Sequence, residues 1–336
     1  MRAVVLVGGF GTRLRPLTLA TPKQMLPIGS VTMFERVIAR LGAGGVTEAV
    51  VSLGFAPDRF TEAFPDGTCA GVRLHYAIEP EPLDTAGAIR FAARHAGVDE
   101  TFLVVNGDVL TDLDYRWLVE QHRLLGGEAT LHLIGVEDPS RFGVVDTAED
   151  GSVRAFVEKP APGTEPCNLI NAGTYVMEPS VLDLIDEGRK VSVERETFPV
   201  LVERGTLKAV AYDTYWIDAG TPSAYLQACL DLIDGTRSNE AGVAADATVA
   251  DGAVVEHSMV NPRASIGSGA TIRDSIVMAG ATIGADAVVE GSIVGAGARI
   301  GSGARVIGGA VIGHGETVAD AATIDAVTVP DPSTWQ

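Results

Sequence analysis

Apolar positions follow two different periods along the chain, and the change falls near residue 235. Upstream, short apolar runs occupy residues 2–7 (RAVVLV), 48–54, 72–78 and 101–105 (TFLVV). Runs of this kind belong to strands covered on both faces. Between them lie stripes at helical spacing: Phe34, Val37, Ile38 and Leu41, then Ile89, Ala92, Ala93 and Ala96. Alternating strand and helix predicts βαβ units and a Rossmann-like, mostly parallel sheet, whose ligands sit at the carboxyl ends of the strands. The chemistry is therefore expected in the loops after residues 7, 78 and 105.

Downstream, an aliphatic residue recurs about every six positions: Val243, Val249, Val255, Ile266, Ile272, Ile283, Val289, Val294, Ile300, Val306, Ile312, Val318 and Ile324. Four places after most of them stands alanine, as in IGSGAT and IGSGAR. A large aliphatic followed by a small residue within each hexad predicts a left-handed parallel β-helix, each hexad forming one side of a coil. A flexible Gly/Ala linker would not hold Ile and Val in register. The breaks at Asn261-Pro262 and from Met278 to Gly280 read as corner insertions. The expected domains are a catalytic domain over 1–235 and a β-helix over 241–330. Few functional side chains mark the second as an assembly and stability element, through which the chain forms a homo-oligomer.

Composition narrows the function. The 336 residues carry 25 Lys+Arg against 44 Asp+Glu, a net charge of −19, so nonspecific nucleic-acid binding is excluded. The five-residue apolar run before Gly8-Gly9 is too short for a signal peptide, and no segment is long and apolar enough to span a membrane. Cys69, Cys167 and Cys229 form no CxxC pair, which fits a reduced, cytoplasmic setting without a structural zinc.

The loop after the first strand reads GGFGTRLRPLTLATPKQMLP over residues 8–27. Gly8, Gly9 and Gly11 let the backbone bend and turn N–H groups toward an anion, while Arg13, Arg15 and Lys23 add charge. This is a polyphosphate cradle, but neither a dinucleotide fingerprint nor a Walker loop, since Leu14 fills the third glycine position and GK[ST] is absent. An ordinary glycine turn beside a solvated basic loop is the plain alternative. In NGDVL, Asp108 stands at the end of the strand TFLVV, and in YWIDAGTP an apolar run ends in Asp218 before a helix opening at Thr221-Pro222. Two carboxylates at strand ends beside a triphosphate suit Mg²⁺, which takes few protein oxygens plus substrate phosphates.

Taken in order, GGFGTRLRPLTLATPK, NGDVL, FVEKP, INAGTY, SVERETFP and WIDAGTP, followed by hexapeptide repeats, resemble the sugar nucleotidyltransferase family across nearly the whole chain. The resemblance implies transfer of a nucleotidyl group from a nucleoside triphosphate, GTP, to a sugar-1-phosphate, mannose-1-phosphate, with pyrophosphate released. It implies that Gly8, Gly9, Gly11 and Thr12 contact the nucleotide, that Arg13 and Lys23 are catalytic, and that Asp108 and Asp218 hold magnesium. Glu158 and Lys159 of FVEKP, with Asn171 and Gly173 of INAGTY, would bind the sugar phosphate. Where the family reads LGTAG beside the base, this chain has Leu83-Asp84-Thr85-Ala86-Gly87. Asp84 either accepts from guanine N1–H and N2–H or caps the helix that begins there, with Gly87 on the base side. Three rival functions remain: guanylyl or thymidylyl transfer to another sugar or a cyclitol phosphate, a non-catalytic nucleotide-sugar-binding subunit, and an acyltransferase using His257 or His314 as base.

Overall fold

The computed structural model describes residues 1–335. Its contacts divide the chain into two compact units: Met1–Gly9 with Phe34–Trp216, and Phe10–Met33 with the residues from Ile217 onward.

In the first unit, β1 (Arg2–Leu6) lies between β2 (Glu48–Leu53) and β4 (Phe102–Asn106), with β3 (Val72–Ile78) outside β2, all four parallel. The chain steps from β1 to β2 to β3 in one direction, then returns to lay β4 on the other side of β1. This reversal opens a crevice at the carboxyl ends of β1 and β4, where open α/β sheets bind ligands. The predicted stripes become helices α1 (Met33–Ala43) and α2 (Asp84–His95), which bury Phe34, Ile38 and Leu41 and Ile89, Ala92 and Ala93 respectively. Val4, Val50 and Val104, aligned in the centre of the sheet, are wholly buried.

The parallel centre is extended by a flank of mostly antiparallel pairs. After β4 come β5 (Ala129–Gly135), β6 (Gly143–Thr147), β7 (Val153–Glu158), β8 (Leu169–Met177) and β9 (Leu207–Ala211). β8 runs antiparallel to β4 and β5, and β6 antiparallel to β7 and β8. Tyr175 of β8 meets Phe198 edge to face at 5.2 Å in the same core.

In the second unit, residues 248–329 form three parallel sheets of five strands each, the parallel β-helix expected from the hexads. Val249 stacks on Ile266, Ile283, Ile300 and Val318, and Val255 on Ile272, Val289, Val306 and Ile324. The third edge is Val260, Val277, Val294, Ile312 and Val329. Successive coils are 17 residues apart until one extra residue enters at Gly308-Gly309. The breaks in the hexad pattern are thus corrected: Asn261-Pro262 and Met278 to Gly280 are not insertions. One side of each early coil is a residue short, as between Val255 and Val260 or Ile272 and Val277.

The short side carries a ladder of buried hydroxyls. Ser258 Oγ accepts the Ser275 N–H and Ser275 Oγ the Ser292 N–H, both at 3.1 Å, and each hydroxyl donates to the carbonyl two residues back. Ala310 occupies the next position, where the ladder ends. Ser275→Ala strands the fully buried Ser292 N–H, and an unpaired buried donor costs about 1–3 kcal/mol. Urea unfolding of the variant should show that loss; an unchanged midpoint would remove the ladder from the account of stability.

On the surface, His257 Nδ1 lies 2.6 Å from Asp274 Oδ1 and its Nε2 3.5 Å from Asp234 Oδ2. The hydrogen bond His257 donates to Asp274, followed by the one it donates to Asp234, holds the imidazolium pKa above its ordinary value. Such a pair contributes stability in full below the unfolded-state pKa of about 6.5 and loses it as pH rises through the raised folded value. The stability gap between wild type and His257→Gln should therefore narrow as pH rises from about 5.5 to 8.5, and a gap that widens would reverse the assignment.

Candidate active site

At the carboxyl end of β1 three backbones meet closely. A Cβ on Gly54 would lie 2.9 Å from the Gly8 carbonyl, and one on Gly8 would lie 3.0 Å from Glu79 Oε1. Glu79, just beyond β3, is buried; its carboxylate accepts from Ser52 Oγ at 2.9 Å and from the Leu83 N–H at 3.1 Å. A buried carboxylate persists only when so partnered, and here it ties the ends of β1, β2 and β3 to the loop entering α2. Sequence reading passed over Glu79; the signal was a charged residue closing an apolar run in HYAIE.

α2 begins at Asp84, whose φ of +60° is left-handed. That conformation favours glycine, which explains why a glycine suits this position. Leu83 stands at the N-cap and makes no side-chain cap, while exposed Asp84 Oδ1 accepts from the adjacent Thr85 N–H at 2.8 Å. Gly87 is buried for packing reasons, since a Cβ there would lie 3.0 Å from the Arg189 carbonyl. Gly9 is exposed beside Gly8.

On the far side of β1, the Gly107 N–H donates to the Leu6 carbonyl at 2.9 Å, setting half-buried Asp108 two residues beyond β4. The INAGTY segment is an irregularity in β8, with a register shift against β5 between Asn171 and Tyr175. Asn171 Oδ1 accepts the Gly173 N–H at 3.0 Å, its Nδ2 donates to Tyr175 Oη at 2.9 Å, and Trp216 Nε1 donates to the Ala172 carbonyl at 2.9 Å. Gly173, at φ +73°, would place a Cβ 2.6 Å from Asn106 Nδ2. Thus β4 and β8 are pressed together where NGDVL meets INAGTY, and Asn106 joins the candidate residues although only Asp108 was singled out from sequence. At the end of β7, Glu158 Oε1 and Lys159 Nζ are 3.2 Å apart, with Lys159 itself left-handed at φ +50°. The Lys159 side chain is 61% exposed, so the pair is screened by solvent and the ammonium can be claimed by a stronger anion.

The remaining candidates belong to the second unit. Gly11, at φ +61°, opens a short 3₁₀ turn over Thr12–Leu14, and Thr18 Oγ1 donates to the Gly11 carbonyl at 2.7 Å. A Cβ on Gly11 would lie 3.1 Å from Lys23 Cβ, so the loop folds back to bring Lys23 beside its own start. Arg13, its side chain 58% exposed, has Nη2 3.9 Å from Asp218 Oδ2. Asp218 Oδ1 accepts the Gly220 N–H at 3.0 Å, and helix α3 (Pro222–Leu230) follows with Thr221 as its N-cap. From that helix, fully buried Tyr225 donates its hydroxyl to the Pro27 carbonyl at the far end of the same loop.

Residues 2–235 match the nucleotidyl transferase family, and residues 238–333 match the GMPPB C-terminal domain. The chain belongs to the nucleotidyl transferase family. Mannose-1-phosphate guanylyltransferase of Mycobacterium tuberculosis is 42% identical to it over 75% of this chain and 71% of that protein. Mannose-1-phosphate guanyltransferases of Kluyveromyces lactis and Aspergillus oryzae are 39% and 38% identical, the matched regions spanning 63% and 66% of their lengths. Among solved structures, HddC from Yersinia pseudotuberculosis is 31% identical with a TM-score of 0.59, covering 68% of this chain and 97% of that one. A putative glucose-1-phosphate thymidylyltransferase from Bacillus anthracis, 24% identical with a TM-score of 0.62 over 70% of this chain and 96% of that one, shares the fold.

Nucleotidyltransferases of this family generally use a divalent metal. Among the described residues no group of three or more His, Cys, Asp or Glu is arranged to hold one. Single carboxylates such as Asp108 and Asp218 instead fit a hard cation whose shell is completed by phosphate oxygens and water.

The left-handed Asp84 yields a prediction. A non-glycine residue there costs roughly 1–2 kcal/mol, partly offset by the greater chain entropy of glycine. Asp84→Gly should therefore raise stability by about 0.5–1 kcal/mol in chemical denaturation, and a loss of stability would show that the carboxylate contributes more than its strain.

Proposed function

We propose that this nucleotidyltransferase joins GTP to mannose-1-phosphate, giving GDP-mannose and pyrophosphate. The observation that carries the reading is the glycine-opened turn that presents exposed Arg13 beside Asp218, with Lys23 folded back against Gly11, in a chain 42% identical to a mannose-1-phosphate guanylyltransferase. The functional division we propose is residues 1–235 for catalysis and 241–330 for the β-helix.

A phosphate monoester is largely dianionic at neutral pH, its second pKa being about 6. The sugar-phosphate oxygen is therefore already a nucleophile. It attacks the α-phosphorus, one P–O bond forms, the α–β phosphoanhydride bond breaks, and the electron pair leaves with pyrophosphate. No general base is needed. The barrier lies in bringing two polyanions together, so Arg13 and Lys23 act by neutralising and aligning the triphosphate. Gly8, Gly9, Gly11 and Thr12 offer backbone groups to the nucleotide. Lys159 takes the sugar phosphate, while Glu158 and Asn171 address sugar hydroxyls across the close approach that Gly173 permits. Mg²⁺ held by Asp108 and Asp218 would supply further charge neutralisation at the phosphates. The base falls to the loop from Glu79 to Gly87, where Asp84 offers an acceptor to guanine.

Two histidines bear on the acyltransferase alternative. His257 is held between Asp234 and Asp274, and His314 is enclosed by backbone groups of its own unit, so neither is placed as a base toward a substrate. A cyclitol phosphate or another sugar phosphate remains the second reading. The three cysteines are free, with burial pushing the Cys69 thiol up to about 12, which supports a cytosolic enzyme; among the described residues no helix is long and apolar enough to cross a membrane. Exposed Val243, Val249 and Val254 around the first coil support self-association through the β-helix.

Pyrophosphate release should be fastest with GTP and mannose-1-phosphate among the common nucleoside triphosphates and sugar phosphates, and faster turnover with a different pair would replace the assignment. Asp108→Asn and Asp218→Asn should each lower Mg²⁺-dependent kcat by at least about 100-fold while leaving the folded state intact by circular dichroism; wild-type rates at limiting Mg²⁺ would refute the metal role.

A further inference from the structure

The loop that carries Arg13 and Lys23 leaves β1 at the sheet, yet its contacts group it with the residues from Ile217 onward. Within that unit one side chain of the β-helix reaches it. His314 occupies a corner of a late coil; Ala296 N–H donates to its Nδ1 at 2.9 Å, and its other ring nitrogen hydrogen-bonds the Leu17 carbonyl. Nδ1 accepts, so Nε2 bears the hydrogen and donates, and burial holds the imidazole pKa below its ordinary value. The corresponding corners of the three preceding coils carry Pro262, Ala279 and Ala296, as the repeated corner bonds Gly280 N–H to Pro262, Gly297 N–H to Ala279 and Gly315 N–H to Ala296 show. None of those three has a side-chain hydrogen-bonding group.

Neighbouring contacts agree. Gly313 packs so closely on the loop that a Cβ there would lie 3.3 Å from Pro16 Cβ, while Leu14, Leu17 and Thr18 are buried. Between Gly11 at one end, fastened by Thr18, and Pro27 at the other, fastened by Tyr225, the middle of the loop is held by His314.

We propose that His314 is a positioning residue for nucleotidyl transfer, a part of the β-helix that fixes the phosphate-binding loop in its working shape. The inference rests on the reading of Arg13 and Lys23 as triphosphate-binding groups. Through it the β-helix, expected from sequence to serve assembly and stability, becomes a scaffold for the catalytic loop without supplying a catalytic group. Two hydrogen bonds made by one ring can be separated by substitution. His314→Asn retains an acceptor near Nδ1 for the Ala296 N–H but is too short to reach Leu17. His314→Gln extends an amide donor to the place of Nε2.

The experiment uses the full chain and two readouts. In hydrogen exchange on the ligand-free protein, amides of residues 12–19 should exchange at least tenfold faster in His314→Asn than in wild type, with little change in His314→Gln, while the coils around Ala296 stay protected in His314→Asn. In steady-state assays with GTP and mannose-1-phosphate, His314→Asn should lower kcat/KM for the triphosphate about tenfold or more, leave KM for the sugar phosphate within about twofold, and be largely rescued in His314→Gln. Loop exchange at the wild-type rate in His314→Asn would overturn the proposal, as would equal losses in both variants that follow thermal stability alone. Inactivity of the wild-type enzyme with these substrates would instead count against the substrate assignment, and loop exchange would still decide the role of His314.

Discussion

A buried carboxylate at the end of β3 is the constraint on which the first unit depends. Glu79 can stay out of water only because Ser52 Oγ and the Leu83 N–H pair with it, and it has room only because Gly8 lacks a side chain. Gly54 in turn lets the Gly8 carbonyl approach. These contacts draw the carboxyl ends of three strands together at the reversal of strand order. The glycine at the start of the loop after β1 thus admits the carboxylate that ties the loop's origin to α2.

A second close approach does the same work between β4 and β8. Gly173 lies against Asn106 because the strand is irregular there, its turn closed by Asn171 and its carbonyl at Ala172 held by Trp216. The motifs that look like separate sequence signatures are therefore mutually dependent in space. Asn106 cannot take its position unless residue 173 is glycine, and the aromatic of WIDAGTP braces INAGTY.

The β-helix reaches its stability differently. Every coil repeats the same aliphatic edges, so each layer buries its neighbour's and the local polar groups must be satisfied along the stack. The Ser258–Ser275–Ser292 ladder meets that demand on the short side, and its end coincides with the glycine pair that lengthens a coil. His314 follows the same logic turned outward, with one nitrogen in the stack and the other on the Leu17 carbonyl.

Sequence alone determined the alternation of strand and helix, the aliphatic repeat of the β-helix and the family to which its ordered motifs point. All of these are local patterns, repeated or contiguous in the chain, and the period of apolar residues reads directly as buried faces. The antiparallel flank from β5 to β8 escaped it, because strand direction is set by pairing partners distant in sequence. The short side of each coil was misread as insertions, since a missing residue and an added one both break a six-residue period. Only tertiary structure decided the burial of Glu79, the left-handed backbone at Asp84, and the attachment of the loop that carries Arg13 and Lys23 to the β-helix through His314. In each case the deciding partner, Ser52, the backbone of α2 or Leu17, is fixed by packing that no local pattern encodes.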